Sequence, residues 1–372
     1  MLGALAILSA TPSYAGLTLT PAGTADGFSL SEFVSGFANS GPGGEGPFGI
    51  ATTTSGNVLV DSYFDSRVYR FNDVDGQTVA AALGSTALQS FASDFVNRGG
   101  TIYASGGLPP LLSSAAGDSS HGGPDANNLL TLTNTGAVAT IALAGGAAAG
   151  VAVDAVTGHI FALRGTNFVL GVPLSEQLID YNPGAGTSTI LWTRSSSDQG
   201  DSVAVSADGR TAYVSFKNLN QVIGFDTTTG AQTTSFSVAG TPDGLGVIHG
   251  TSPFAGDLIS NNNDGTVALL NLGTGAVTTI ASGGSRGDFT GQDLLNGSLF
   301  LTQTDSVWRL SCGEGCDFGG GAGGAGGGGG TAVPEPGTWS LLGLGVVALG
   351  LTRRRGHLTW RSRPSCLGRR PD

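Results

Sequence analysis

DSVAVSADGRTAYVSFKNLNQVIGFDTTTG, residues 201–230, contains the plan that the rest of the chain repeats. Ser202 to Val205 alternates polar and apolar side chains, Asp208-Gly209 is a two-residue hairpin signal, and Thr211 to Phe216 resumes the alternation with β-branched and aromatic residues. After Lys217 to Asn220 a third strand is expected from Gln221 to Asp226, and Thr229-Gly230 turns it into a fourth, Ala231 to Ser237. The stretch spells a four-stranded antiparallel meander whose strands are joined by short turns.

The same punctuation recurs along the chain. First-hairpin glycines fall at Gly56, Gly100, Gly158, Gly209, Gly256 and Gly297, a mean interval of about 48 residues, and each is followed by a strand-like run, from NVLV after Gly56 to SLFLT after Gly297. The second turn recurs at Gly76, Gly136, Gly184, Gly230 and Gly275 and has no sixth copy, because the last unit stops after its third strand, Ser306 to Leu310. Its fourth strand must come from elsewhere, and Phe28 to Val34, or Leu17 to Thr20, precedes the first unit without partners of its own. The expectation is an all-β chain whose residues 16–311 form a single six-bladed β-propeller closed by an N-terminal strand, which leaves no long sheet edge exposed. The length of the second and third units keeps a seven-bladed ring as the alternative.

PFGIA with GNVLV, and SVAVSADGRTAYVS with QVIGFDTTTG, resemble the blade phrasing of the NHL and YVTN propeller families over roughly Pro47 to Leu310. The resemblance implies the fold and no particular activity, since propellers serve as binding modules, lyases, lactonases and scaffolds alike.

Charged residues are 12% of the chain, about half the usual share, and glycine fills 64 of 372 positions, which favours turn-rich β structure with a neutral polar surface. The formal charge of −11 hides an asymmetry: residues 353–372 carry seven Arg and one Asp, leaving 9 basic against 26 acidic residues, or −17, for the rest. A body this acidic repels phosphate backbones and excludes nucleic acid as a partner. Cations and neutral glycans suit it better. Lys217 is the single lysine, which reads as codon bias.

Met1 to Ala15, MLGALAILSATPSYA, is an apolar run ending in Ser13-Tyr14-Ala15, a small-x-small site, so residues 1–15 are expected to be a signal peptide cut after Ala15 by signal peptidase. Its basic n-region is missing, as in a chain whose start is assigned late or in a fragment. At the other end residues 312–332 read as a Gly-rich linker. Cys312 and Cys316, in SCGEGC, are expected to form a disulfide in an exported chain, though so short a loop stabilises little. Two thiols are too few for a structural zinc site.

Val333-Pro334-Glu335-Pro336 is followed by apolar Trp339 to Leu351 and then by Arg353-Arg354-Arg355. This order resembles the PEP-CTERM sorting signal. The resemblance implies that residues 333–355 are a sorting signal with a short hydrophobic transmembrane helix, recognised by an exosortase in a Gram-negative envelope and cleaved near the motif, with release or attachment at the cell surface. An apolar run of about 13 residues is shorter than the roughly 20 that span a bilayer, and the triple Arg orients its end inward. Residues 356–372 form a basic extension beyond the point at which such signals usually end.

In a propeller the first-to-second and third-to-fourth strand turns share one face, and the remaining connections share the other. The glycine turns belong to the first face, and the long loops expected from Gly106 to Asn127 and from Arg164 to Glu176 to the second, where recognition usually resides. His121 maps to the long-loop face, His159 and His249 to the tight-turn face, and none has a defined carboxylate or nucleophile partner in the sequence. No GxSxG, HExxH or Walker pattern is present. Asn72 to Gly76 mimics half an EF-hand loop, but Phe71 stands at its first ligand position and Ala82 where the bidentate Glu belongs, so it reads as a hairpin turn. Asp201 and Asp243 each lie where the chain starts down the central channel. Like charges gathered there repel unless hydrated or bridged by a cation, which makes the two aspartates candidate Ca²⁺ ligands.

The functional expectation is an exported cell-surface or extracellular-matrix protein, transiently anchored in the inner membrane, whose propeller is a non-catalytic interaction platform. Its expected partners are signal peptidase and exosortase during export, then exopolysaccharide or surface proteins. The alternative is a metal-dependent propeller hydrolase or lactonase, or a lyase.

Overall fold

A blade packed between two others buries both faces of its sheet, so its inner strands carry apolar residues at successive positions. The computed structural model describes residues 16–88, 94–106, 127–169, 172–198 and 200–319. In it the template unit is a sheet of Gly200–Val205, Thr211–Phe216, Gln221–Asp226 and Gln232–Ser237, paired antiparallel in that order. Side chains of its inner strand divide by the period of two. Val203 and Val205 pack with Leu163 and Leu178 of the preceding blade, whereas Ala204 packs with Leu245 and Val247 of the next.

Six such blades are present. Their inner strands, Pro47–Thr52, Phe95–Arg98, Val151–Val153, Gly200–Val205, Pro242–Val247 and Thr290–Gln292, each contact the next, and the last contacts the first. That closed order excludes the seven-bladed alternative. The remaining sheet, His249–Gly250 with Cys316–Asp317, has two strands and is no blade.

Both N-terminal candidates are used, in different blades. Ser29–Ser35 runs antiparallel to Ser306–Ser311, with Leu30 opposite Leu310, and completes blade six. Thr18–Leu19 pairs with Ala281 and Ser282 as a fifth strand on blade five. Between them the short helix Pro21–Ala25 is capped by Thr20, whose Oγ1 accepts from the Gly23 N–H at 3.1 Å.

Three local expectations are corrected. Asn72 to Gly76 is more than a hairpin turn: blade one's fourth strand begins only at Gly84, and Gln77–Thr78 leaves to pair in parallel with Val34–Ser35 of blade six. The detour brings Asp73 and Asp75 to Arg309, which also meets Asp293 and donates to Ser298 Oγ at 2.9 Å. The guanidinium is pressed against the rings of Phe33 and Phe300, 5.2 and 4.7 Å from their centroids. A buried cation of this kind needs its carboxylates, which is why the loop departs from the hairpin path. In blade three the left-handed residue is Gly186 (φ 67), not Gly184. Asn182 Oδ1 accepts from the N–H groups of Gly184 and Ala185 at 2.9 and 3.1 Å, and this Asx turn moves the tight position along the chain. Arg164 to Glu176 is no loop either, because Ile160–Val169 and Val172–Asn182 continue as an antiparallel ribbon until Val169 faces Val172.

Packing also continues past Ser311. Cys312 and Cys316 are joined by a disulfide across 5.5 Å between Cα atoms, Cys316–Asp317 pairs with His249–Gly250, and Phe318 is fully buried beside Ile248 and Phe28. The Phe318 N–H donates to the Gly297 carbonyl at 2.9 Å, so the chain leaves the described fold at the tight-turn end.

Candidate functional site

Inner strands all start at the long-connection end of the channel, so a residue placed at the head of each strand joins a ring around the mouth. Five of the six blades put a carboxylate there: Glu45, Asp94, Asp201, Asp243 and Asp288. Blade three departs with Gly150, where a Cβ would lie 2.5 Å from Ser202 Cα, and its Val151 N–H donates to Asp94 Oδ2 at 3.0 Å. Glu176 joins from the blade-three ribbon, accepting the Gly200 N–H at 2.8 Å, and Lys217 enters from the second-to-third connection of blade four.

The two aspartates singled out in the sequence do come together, but within a larger network. Lys217 Nζ lies 2.8 Å from Asp201 Oδ2. Arg286 reaches Asp288 Oδ1 at 2.6 Å and Glu45 Oε1 at 3.3 Å. Asp243 Oδ2 accepts from Asn263 Nδ2 at 2.8 Å. Burial, followed by the charge of Asp201, pushes Asp243 up to about 7. Burial likewise raises Glu176 to about 7, and it holds Asp94 and Asp288 well above the usual carboxylate range. For Lys217 burial opposes the charge, yet Asp201 and Asp243 outweigh it and keep the ammonium above its ordinary value.

Behind these groups a buried polar shell fixes their positions. Ser215 Oγ donates to the Asp243 carbonyl at 2.5 Å and accepts the Ser202 N–H at 2.9 Å, tying blade four to blade five. Asn261 Nδ2 donates to the Thr302 carbonyl at 2.9 Å, and Gln303 Nε2 donates to Asn261 Oδ1 at 3.1 Å, tying blade five to blade six. On the blade-one side Phe48 packs against Tyr63 and Phe289, with ring centroids 4.7 and 5.6 Å away.

Below the mouth the channel narrows between Val151, Val203, Val205 and Leu245, where the cavity is about 40 Å³. That admits water molecules and no organic ligand. Apolar side chains are also exposed on the rim. There Phe64 and Leu219, 52 and 38% exposed, lie on second-to-third connections, and Leu174, 54% exposed, lies near the start of the third strand of blade three.

The other histidines and the acidic turn take different places. His159 Nδ1 is 2.8 Å from Asp180 at the tight-turn end, and His249 lies at the foot of the channel, its burial lowering its pKa. His121 and most of the Gly106 to Asn127 loop lie outside the described residues, as do Ala15 and the sorting segment. Among the described residues no group of three or more His, Cys, Asp or Glu is arranged to hold a metal ion, and no helix is long and apolar enough to cross a membrane. Sequence reading passed over Glu45, Asp94, Glu176, Lys217, Arg286 and Asp288. Two signals were available: an acidic residue recurring ahead of the first strand in step with the glycine repeat, and the uniqueness of Lys217.

Residues 332–355 match the PEP-CTERM protein-sorting motif, which marks the chain for export, with membrane anchoring before exosortase cleavage. No curated protein sequence matches this one. Among solved structures the fold is similar to a gluconolactonase from Xanthomonas campestris, with a TM-score of 0.55 and 14% identity over 82% of this chain and 99% of that one. It is similar also to a luciferin-regenerating enzyme (TM-score 0.54, 10% identity, 81% and 99% covered). A third is a calcium-binding protein, regucalcin, from Agrobacterium tumefaciens (TM-score 0.53, 13% identity, 78% and 98% covered). At such identities the likeness is one of fold.

Proposed function

We propose that this protein is a surface or matrix component of a Gram-negative envelope whose propeller is a non-catalytic interaction platform. Residues 1–15 are its signal peptide, removed after Ala15, and residues 333–355 are its sorting signal, cut near Val333-Pro334-Glu335-Pro336. Arg353, Arg354 and Arg355 hold the tail's inner end until that cut. The observation that carries the platform reading is the pairing of the mouth: Lys217 and Arg286 lie on the carboxylates of Asp201, Asp288 and Glu45. With the chain's own cations in place, Asp201 and Asp243 do not fit a calcium site. The exposed Phe64, Leu174 and Leu219 offer apolar contacts around the mouth, of the kind an interface uses at its centre. Partners of this acidic surface are exopolysaccharide or surface proteins.

One observation favours a second reading, a propeller lactonase or other hydrolase. Glu176 and Asp243 are held near 7, where a carboxyl group exchanges protons readily at neutral pH. Proton release from a sugar lactone, followed with the purified propeller in calcium and in chelator, separates the two. The platform reading predicts no rate above buffer in either solution. Turnover that is lost in Asp243→Asn supports the hydrolase instead.

A further inference from the structure

After the last strand of blade six, residues 312–319 fold back as a small clasp on the tight-turn end. Cys316–Asp317 pairs antiparallel with His249–Gly250. The Gly315 carbonyl accepts from the N–H groups of Thr251 and Ser252 at 2.7 and 2.9 Å, and the Phe318 N–H donates to the Gly297 carbonyl at 2.9 Å. Gly250 permits so close an approach, since a Cβ there would lie 2.3 Å from the Gly315 carbonyl oxygen. Phe318 belongs to the same buried cluster as Ile248 and Phe28, and Phe28 stacks on Phe254 with ring centroids 5.6 Å apart. The clasp thus joins the segment after blade five's first strand, the first-hairpin turn of blade six and the residue ahead of the ring-closing strand Ser29–Ser35.

No blade ladder includes the clasp. Ser306–Ser311, the strand before it, is held between Leu299–Thr302 and Ser29–Ser35, so residues 312–319 can come away without opening blade six. Two strands of two residues and a few hydrogen bonds are marginal by themselves. The Cys312–Cys316 disulfide adds to them, with Cys312 buried and Cys316 half-buried at the start of the clasp strand. A cross-link over so short a loop contributes little to a whole propeller, but it restricts the undocked chain and so favours the docked clasp by on the order of tenfold. We infer that the Cys312–Cys316 pair is a redox latch: its reduction releases residues 312–319 from the tight-turn end and leaves the blades closed. Closing passes two electrons and two protons from the thiols to an external disulfide. Opening is the reverse: a thiolate attacks the Cys316 sulfur, Cys312 leaves as a thiolate and takes up a proton, and a second thiol completes the exchange. The latch stands open in a reducing compartment and shuts once the exported chain meets oxidising surroundings. The inference goes beyond the platform reading and does not depend on it.

Deuterium exchange followed by mass spectrometry tests it on the full chain in mild detergent, with Cys366→Ser throughout so that no third thiol takes part. In the oxidised protein, peptides covering Thr251–Ser252 and 316–319 should exchange slowly. Dithiothreitol should speed their exchange on the order of tenfold and leave Ser306–Ser311 unchanged. Cys312→Ser/Cys316→Ser should exchange at the reduced protein's rate with or without dithiothreitol. If that variant alone does not fold, the reduced protein decides the matter. A rise of less than about threefold on reduction overturns the inference, because the clasp then holds without its cross-link. So does a folded double variant that exchanges as slowly as the oxidised protein. An equal rise across Ser306–Ser311, or loss of the fold in both the reduced protein and the variant, also overturns it, since the disulfide would then be a staple of blade six and no latch.

Discussion

Glu176 and Asp243 carry a charge that burial disfavours, and each stands near 7 in the folded protein against an ordinary value of about 4. Each keeps its proton in the fold at a pH where the unfolded chain has released it. Its contribution to stability is therefore complete below about pH 4 and is lost as pH rises through about 7. The protein should melt at a higher temperature at pH 6 than at pH 8. Glu176→Gln keeps an oxygen for the Gly200 N–H and cannot ionise, so it should remove part of that slope and add on the order of 2 kcal/mol at pH 8. A melting profile against pH that is the same for both proteins would contradict this. At this scale the sequence was legible by position only. Asp201 and Asp243 stood out because each precedes a strand of the cleanest repeats, whereas Glu176 lies inside a stretch that reads as loop and Arg286 in a Gly-rich connection.

Strands whose alternation is bounded by glycine turns were legible as elements, and Thr211–Phe216 and Gln221–Asp226 fall where the pattern puts them. Elements stabilised from a distance were not. The ribbon over Arg164 to Glu176 contains Gly165, Gly171 and Pro173, which weaken a strand signal, yet the register puts Pro173 opposite Phe168. The clasp of blade one on blade six depends on Arg309, more than 230 positions away from Asp73 in sequence, which no local pattern announces. Its energetics are unequal. Asp293 is fully buried while Asp75 is 37% exposed in its side chain. Arg309→Leu leaves the Asp293 charge uncompensated and should cost about 3 to 5 kcal/mol, whereas Asp75→Asn should cost about 1 kcal/mol or less. Urea unfolding of the two variants checks the order. Equal costs would mean that the clasp is held by strand pairing and not by its charges.

For the whole molecule, the number of blades was legible because each blade repeats the same turn chemistry, and ring closure because the last unit lacks a strand that the N-terminus can supply. The use of Thr18–Leu19 on the neighbouring blade was not, since two residues carry no period. Fold and address are written in different parts of the chain. The propeller is specified by alternation and glycine turns, the sorting motif by 332–355. Between them the described chain ends at Gly319, at the tight-turn end, so the mouth stays clear of the start of the Gly-rich linker. An apolar run of about 13 residues falls short of the roughly 20 that span a bilayer, which makes it a poor permanent anchor. Mass spectrometry of the protein recovered outside the cells of an exosortase-containing host tests whether the propeller is exported and freed of both ends. A chain beginning at Gly16 and ending close to Pro334 is the predicted result. Intact protein held in the inner membrane, with Arg353 to Arg355 and Cys366 still attached, would contradict it.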